Sequence, residues 1–236
     1  MDSAVILAGG LGTRIRSILG DTPKCLAVVH GKPVLMRQLE LLEAFGYKFV
    51  FLALGHGYEP ILKFLSELRF DGMLVEPVVE TRALGTGGAI RNVAKTLNLG
   101  TFLSLQGDTL FEQPSMDAIQ TAMTIEPGET NIAFTSPDVQ TSEGFAFYRD
   151  DFGLVYNLER VKSASNPLST GIYHWHAQSF SDLTFEHEKF DIEEILLPKL
   201  ISLGLLRSVE IKGPFHDVGT VQGLARAKTH YNRDST

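Results

Sequence analysis

Short apolar runs alternate with amphipathic helical patterns over residues 4–105, and that rhythm leaves few architectures open to the chain. Ala4-Val5-Ile6-Leu7 has strand length. Leu35, Leu39, Leu42 and Phe45 then recur at helical spacing, with Arg37, Gln38, Glu40 and Glu43 between them, until Gly46 ends the pattern. Phe49–Leu54 reads as a buried strand, and Ile61, Leu65 and Leu68 as a second helix. Met73–Val78 supplies a further strand. Ile90, Val93, Ala94 and Leu97 mark a third helix opened by Thr86-Gly87-Gly88, and Thr101–Leu105 is a strand running into Gln106-Gly107-Asp108. This order predicts a mostly parallel sheet covered by helices on both faces.

Beyond about residue 130 the pattern changes. Asn131–Ser136, Gly144–Arg149, Gly153–Leu158 and Leu168–Trp175 read as shorter, turn-linked strands of more antiparallel character. A helix is expected near Asp191, where Asp191 and Glu194 have capping-box spacing, and Pro198 should kink or divide it. A last helix after Thr220 would set Val221, Leu224, Ala225 and Lys228 on one side. No repeat, low-complexity segment or linker interrupts the chain, so residues 1–236 read as a single α/β domain.

The glycine-rich stretch after the first strand, LAGGLGTRIRSILGDTPK, invites an anion. It is not a dinucleotide fingerprint, because Thr13-Arg14-Ile15 follows Gly12 without the third glycine. It is not a P-loop either, since no lysine stands where that motif needs one. Gly9, Gly10 and Gly12 instead let backbone amides approach a phosphate closely. Arg14 adds a planar fork for phosphate oxygens, and Lys24, after the stiff Pro23, a compact charge.

Two carboxylates occupy strand ends, where open α/β sheets bind ligands: Asp108 after Thr101–Leu105, and Asp217 after Ile211–Phe215. Together they could hold Mg²⁺, which takes one or two carboxylates plus substrate phosphates. His174 and His176, with His187 or His216, have no recognisable zinc spacing and read as exposed or hydrogen-bonded histidines. Cys25 reads as a packing residue near the site.

The net charge of −7 and the absence of a long basic cluster argue against a nucleic-acid partner. Apolar runs fall far short of the roughly 20 residues a membrane span needs, so no membrane partner is expected. A single cysteine excludes an internal disulfide framework. With no visible signal peptide, a cytoplasmic location is the expectation.

LAGG-x-GTR-x-R followed by TPK resembles the signature of sugar-1-phosphate nucleotidyltransferases. The likeness continues, in order, through Glu80 with Leu84–Ala89, Gly107-Asp108-Thr109, Glu159-Arg160, Thr170–Tyr173 and Asp217–Thr220. The short chain, GTGGAIRN and the closing DVGT most resemble heptose-1-phosphate guanylyltransferases. The resemblance implies a Rossmann-like three-layer nucleotide-diphospho-sugar transferase fold. Residues 1–112 would mainly bind nucleotide and residues 113–236 mainly sugar phosphate, with a homo-oligomer left open.

The implied reaction is attack by a sugar 1-phosphate on the α-phosphorus of a nucleoside triphosphate, expelling pyrophosphate. A phosphate monoester has its second pKa at about 6, so no general base is required. Arg14, Lys24, Asp108 and Asp217 would be catalytic, the two aspartates holding the metal. Leu7, Ala8, Gly9, Gly10, Gly12, Thr13, Glu80, Gly85 and Thr86 would bind nucleotide. Glu80 stands where relatives recognise the base, and an acceptor-only carboxylate suits the adjacent N–H donors of guanine, which favours GTP. Gly144, Glu159, Arg160, Thr170 and Gly171 would bind the sugar phosphate, with Lys162 an alternative to Arg160. Arg160 replaces a common lysine, Ser169 an asparagine, Thr170 a glycine and Cys25 a proline. The alternatives are a uridylyl- or thymidylyltransferase for another sugar, and a nucleotide-sugar-binding regulatory protein without catalysis.

Overall fold

The computed structural model describes residues 2–10, 15–125, 131–137, 139–140, 143–162, 167–181 and 183–233. Gly12, Thr13 and Arg14, three of the expected site residues, lie outside them.

Strand β1 (Ser3–Leu7) leads to a short helical turn, α1 (Arg16–Leu19), and to the hairpin of β2 (Val28–Val29) and β3 (Lys32–Pro33). There follow α2 (Val34–Ala44), β4 (Phe49–Leu54), α3 (Glu59–Ser66), β5 (Leu74–Val79), α4 (Gly85–Thr96) and β6 (Thr101–Gln106). Next come β7 (Thr109–Leu110), α5 (Gln113–Ile125), β8 (Asn131–Ser136), β9 (Val139–Gln140), β10 (Gly144–Arg149), β11 (Val155–Val161) and β12 (Leu168–His176). The chain ends with α6 (Gln178–Ser181), α7 (Leu197–Ser202), β13 (Leu206–Glu210), β14 (Phe215–Asp217) and α8 (Val221–Arg233).

Among the described residues nine strands form one sheet. β6, β1, β4 and β5 are parallel neighbours in that order. β12 joins β6 antiparallel, and the β10–β11 hairpin and the β8–β13 pair extend from it. The expected mixture of a parallel first half and a more antiparallel second half is what the chain builds.

Alternation along the central strands explains the three layers, because successive side chains point to opposite faces. Ala4, Ile6, Val50, Leu52, Leu103 and Leu105 join one core with Leu35, Leu39 and Leu42 of α2. Val5, Leu7, Phe51, Ala53 and Phe102 join the other with Ile90, Val93 and Ala94 of α4. β5 carries Pro77 and closes the sheet as a half-exposed edge, where a missing amide costs no ladder bond. A third, smaller core of Ile15, Val29, Val34, Leu110, Val218, Leu224 and Ala227 fastens α8 beside the strand ends.

Several expectations need correction. Helix α5 was not foreseen, although Met116, Ile119 and Ala122 have helical spacing and are buried. Strand β11 starts at Val155, since Gly153 belongs to a turn with φ 83°. α8 buries Leu224 and Ala227, while Ala225 and Lys228 face outward. Asp191 does not close a capping box, for its side chain makes no bond to its own helix. A wide π-type turn over Ile192–Leu196 precedes α7, and Pro198 sits in the first turn after it, so the segment is divided as expected. His174 and His216 are buried, and neither ring has a hydrogen-bond partner among the described residues. Burial pushes each down to about 4, with His176 and His230 respectively adding to the effect.

Candidate active site

A cavity of about 560 Å³ opens at the carboxyl ends of β1, β4 and β6. Open α/β sheets place ligands there because the chain leaves each strand for a helix on one or other face, parting the loops. Of the residues expected from the sequence, Leu7, Ala8, Gly9, Gly10, Lys24, Glu80, Gly85, Thr86, Asp108, Gly144, Thr170, Gly171 and Asp217 line it.

Pairing between two very short strands brings the aspartates together. Asp217, the last residue of β14, pairs with Thr109 of β7, the residue after Asp108. The Val218 amide donates to the Asp108 carbonyl at 2.8 Å, locking the two loops in register. Gln38 of α2 holds the same loop from below. Its buried amide nitrogen donates to the carbonyls of Gln106 and Thr109, at 2.8 Å each, on either side of Gly107-Asp108.

Lys24 lies in a tight turn after Pro23, and its Nζ reaches Asp108 Oδ2 at 2.9 Å. Both side chains are largely shielded from solvent, so the pair is stronger than a surface ion pair. Gly219 shows how closely these groups converge. A β-carbon there would lie 2.4 Å from Asp108 Oδ2, 2.9 Å from Asp217 Oδ1 and 2.9 Å from Lys24 Nζ. The Gly219 amide also donates to Asp217 Oδ1 at 2.8 Å. A cation and two carboxylates therefore crowd about one point, and a larger residue at 219 would displace at least one of these side-chain ends.

Asp108 and Asp217 offer hard oxygens at that point, which suits a hard divalent cation. No cluster of three or more metal-ligating side chains occurs among the described residues. Two carboxylates leave coordination positions for phosphate oxygens and water, as Mg²⁺ prefers, so the donor set fits that ion. Cys25 is no competing nucleophile. Burial, with the Asp108 charge adding to it, pushes its thiol up to about 12.

Glu80 follows β5, its amide bonded to the Leu54 carbonyl at 2.8 Å. Its Oε2 accepts from the Leu84 amide at 3.2 Å. Burial lifts the carboxyl above its usual range while that amide pulls it back. It does not pair with Arg82, which pairs with Glu188.

Gly85 and Thr86 were expected on the nucleotide side, and the first amides of α4 have protein partners. Thr86 N donates to Asp191 Oδ1 at 3.2 Å, and Gly87 N and Gly88 N donate to the Phe190 carbonyl at 3.0 and 3.1 Å. Here glycine serves close packing. A β-carbon at Gly87 would meet the Phe190 ring at 2.6 Å, and one at Gly88 the Glu188 carbonyl at 2.5 Å. Gly85 and Thr86 line the cavity, yet the first turn of this helix is a seat for the 188–191 segment.

Glu159 and Arg160 lie on β11, one strand out from the Gly144-Phe145 wall, and are not among the lining residues. Glu159 Oε2 accepts from Tyr148 Oη at 2.8 Å. Arg160 reaches Glu143 at 3.8 Å and Glu194 at 3.6 Å. Sequence reasoning missed Glu143, Ser169, Lys189, Asp191 and Glu193 as lining residues. Asp191-Ile192-Glu193 had been read only as a helix start, and nothing local shows that the segment folds back 105 residues to Thr86.

Helices on both faces of this sheet and a cavity at its strand ends make the Rossmann-like three-layer architecture of nucleotide-diphospho-sugar transferases. The chain belongs to the nucleotidyl transferase family, whose model matches residues 3–234. A D-glycero-alpha-D-manno-heptose 1-phosphate guanylyltransferase of Campylobacter jejuni is 32% identical over 82% of this chain and 84% of its own length. A probable mannose-1-phosphate guanylyltransferase of Oryza sativa is 29% identical over 92% of this chain, which spans 61% of that protein. The crystal structure of HddC from Yersinia pseudotuberculosis complexed with GMP-PN superposes with a TM-score of 0.79 at 27% identity, covering 98% of this chain and 100% of that one. No helix among the described residues is long and apolar enough to cross a membrane.

Proposed function

We propose that the protein joins a sugar 1-phosphate, D-glycero-D-manno-heptose 1-phosphate first among candidates, to GTP, releasing pyrophosphate and a GDP-sugar. The observation that carries this reading is the convergence of Lys24 Nζ, Asp108 Oδ2 and Asp217 Oδ1 beside Gly219, on the wall of one cavity. A phosphate oxygen of the sugar phosphate forms the new bond to the α-phosphorus, and the bond to the β-phosphate oxygen breaks. The nucleophile is already largely ionised at neutral pH, so alignment and charge cancellation are what the protein must supply.

Lys24 would lie between the α-phosphate and the sugar phosphate, where a unit-charge pair at 4 Å is worth roughly 4 kcal/mol at an effective dielectric of 20. Asp108 and Asp217 would hold Mg²⁺, which when bound neutralises phosphate charge. Arg14 would take the departing end of the triphosphate, with backbone amides of Gly9, Gly10 and the Gly12-Thr13 segment following its length, since the Ala8 amide is held by the Ala53 carbonyl at 3.0 Å. Residues 1–112 would form most of the nucleotide side and residues 113–236 most of the sugar side.

Guanine is favoured by Glu80, whose two oxygens accept without donating, matching N1–H and the N2 amine. Uracil or thymine would set a carbonyl against one of those oxygens. The guanylyltransferase names of two relatives and the GMP-PN complex of a third support the same base. Gly144, Thr170 and Gly171 would face the sugar, with Glu159 and Arg160 or Lys162 approaching from β11 and the turn after it.

A panel of GTP, UTP, dTTP and CTP against hexose and heptose 1-phosphates, followed by pyrophosphate release, tests this. The expected result is release that needs both substrates and is fastest with GTP. Equal kcat/KM for GTP and UTP would remove the guanine assignment, and no release with any pair would remove the reaction.

A further inference from the structure

Helix α2 turns Leu35, Leu39 and Leu42 to the core, and Gln38 lies on the same buried face. A glutamine there breaks the apolar pattern that the rest of the face keeps, and functional positions are where such local rules are broken. Gln38 is 2% exposed, and its Oε1 has no hydrogen-bond partner among the described residues. An orphaned buried acceptor is costly, so the value of the amide lies at its other end. There Nε2 donates both its protons, one to the Gln106 carbonyl and one to the Thr109 carbonyl. Both facing atoms are carbonyl oxygens, so only the nitrogen can be turned toward them.

Those carbonyls bracket Gly107-Asp108, and the two residues between them are anchored as well. The Gly107 amide donates to the Leu7 carbonyl at 2.9 Å, and a β-carbon at Gly107 would stand 2.7 Å from that oxygen, so the loop is pressed onto the end of β1. The Asp108 carbonyl takes the Val218 amide. Gln106 closes β6 in the main sheet, while Thr109 opens β7, which pairs with β14 and its Asp217. One side-chain amide thus spans the seam between the two sheets, and Asp108 lies on that seam. With its backbone held, only the side-chain torsions of Asp108 remain to set Oδ2 at 2.9 Å from Lys24 Nζ. If the amide is removed, both carbonyls lose a donor inside the protein and the loop shifts toward other donors or water. The neighbouring Arg37 braces the β2–β3 hairpin that follows Lys24, donating to the Val29 carbonyl at 2.8 Å, and its guanidinium lies 4.3 Å from the centre of the Tyr231 ring on α8. One turn of α2 therefore supports the segments next to Lys24, Asp108 and Asp217 alike.

We infer that Gln38 is a positioning residue for the transfer reaction: it holds the Gly107–Thr109 loop so that the Asp108 carboxylate meets Lys24 and the magnesium nucleotide at one point. Gln38 does not line the cavity and acts through Asp108, which does. A shift of the loop by a fraction of an ångström takes the carboxylate out of alignment, and alignment is what this reaction asks of the protein. The inference rests on the nucleotidyl-transfer reading above, but half of its test measures binding without turnover.

The full chain is titrated with GTP by calorimetry, once with Mg²⁺ and once with EDTA in its place, and with no sugar phosphate present. Pyrophosphate release at saturating substrates then gives kcat. In wild type, Mg²⁺ should tighten GTP binding about tenfold or more. Gln38→Met keeps the length of the side chain and removes both donors. It should lose most of the Mg²⁺ margin and about tenfold in kcat, the scale of one or two hydrogen bonds, while its affinity for GTP in EDTA stays within about twofold. Gln38→Asn is one methylene too short to span both carbonyls, should behave alike, and keeps the test valid if Gln38→Met fails to fold. Leu42→Ala, on the same helix, opens a cavity in the core and is the control for lost stability alone. It should lower the melting temperature yet, assayed below it, keep the Mg²⁺ margin and kcat within about twofold. Folded Gln38 variants with margin and kcat unchanged to within about twofold overturn the role, as does a Leu42→Ala that loses as much of both, or a wild type with no Mg²⁺ margin. If the margin behaves as expected while no substrate pair yields pyrophosphate, the hold on Asp108 stands and the catalytic reading falls.

Discussion

On the wall made by the Gly107–Thr109 loop and β14, Asp108 faces Lys24 at 2.9 Å and Asp217 stands beside them, so acidic charge is met by a cation. On the wall made by β12 and the Asp191–Glu193 turn, Glu193 instead accepts from the Tyr173 hydroxyl, which Ser169 contacts in turn. The same functional group, a carboxylate, thus stands in two settings. A carboxylate beside a lysine can share a hard cation with phosphate oxygens, whereas burial lifts the Glu193 carboxyl above its usual range and the Tyr173 hydroxyl and a backbone amide pull it back.

The largest effect should come from breaking the first wall. Lys24→Ala and Asp108→Asn should each lower kcat roughly a thousandfold, the rate equivalent of about 4 kcal/mol. Both variants should still fold, since neither residue belongs to the apolar cores, with a melting temperature lowered only by the loss of one shielded ion pair. Turnover within about tenfold of wild type in a folded variant would place the chemistry elsewhere.

Next in size is Gly219→Ala. Its methyl group would enter the point shared by Lys24, Asp108 and Asp217. Asp108 Oδ2, 2.4 Å from the added carbon, would have to move by about half an ångström or more, which should cost roughly 10- to 100-fold in kcat, with KM for GTP changed less. An unchanged kcat would show that the convergence is incidental.

A smaller effect is expected at the base. Glu80→Gln presents one donor where guanine also donates, and should reduce the preference for GTP over UTP by about tenfold. The ratio of the two kcat/KM values measures it, and an unaltered ratio would assign base choice to another group.

The smallest expected effect on turnover separates the second wall from acid sensitivity. His174, on β12 next to Tyr173, is buried and titrates at about 4, below the usual range near 6.5. The unfolded chain binds the proton more readily, so stability is full above about pH 6.5 and is lost as pH falls toward 4. The loss from this residue should be on the order of 1–2 kcal/mol by pH 5. His174→Gln should flatten that part of a denaturation series between pH 6.5 and 5 and leave sugar-phosphate binding alone, His216 retaining its own share. An undiminished slope would move the acid sensitivity to other groups.

How far the sequence foretells these features depends on the range of the forces involved. Phe49–Leu54 and Asn131–Ser136 fall where their apolar runs place them, because burial within the sheet writes itself into adjacent residues. β14 is three residues long and exists through its pairing with β7 and β9, so its own pattern says little. α5 was legible in Met116, Ile119 and Ala122 and was passed over. Lys24, Asp108 and Asp217 could be named from their strand ends and resemblance, but their convergence depends on the Val218–Asp108 backbone bond. Glu193 had no local signal, because its partners Ser169 and Tyr173 sit on a strand bent by Gly171 and the seat for its turn is at Thr86.

The central claim is transfer of a nucleotidyl group to a sugar phosphate by attack at the α-phosphorus. It is tested most directly by following two labels in GTP, one on the α-phosphorus and one on the γ-phosphorus, with Mg²⁺ and heptose 1-phosphate. The account predicts that the α-label appears in a GDP-sugar and the γ-label in pyrophosphate, in equal amounts, and that Lys24→Ala stops both. Recovery of the γ-label as inorganic phosphate, or retention of both labels in GTP with every sugar 1-phosphate, would contradict it.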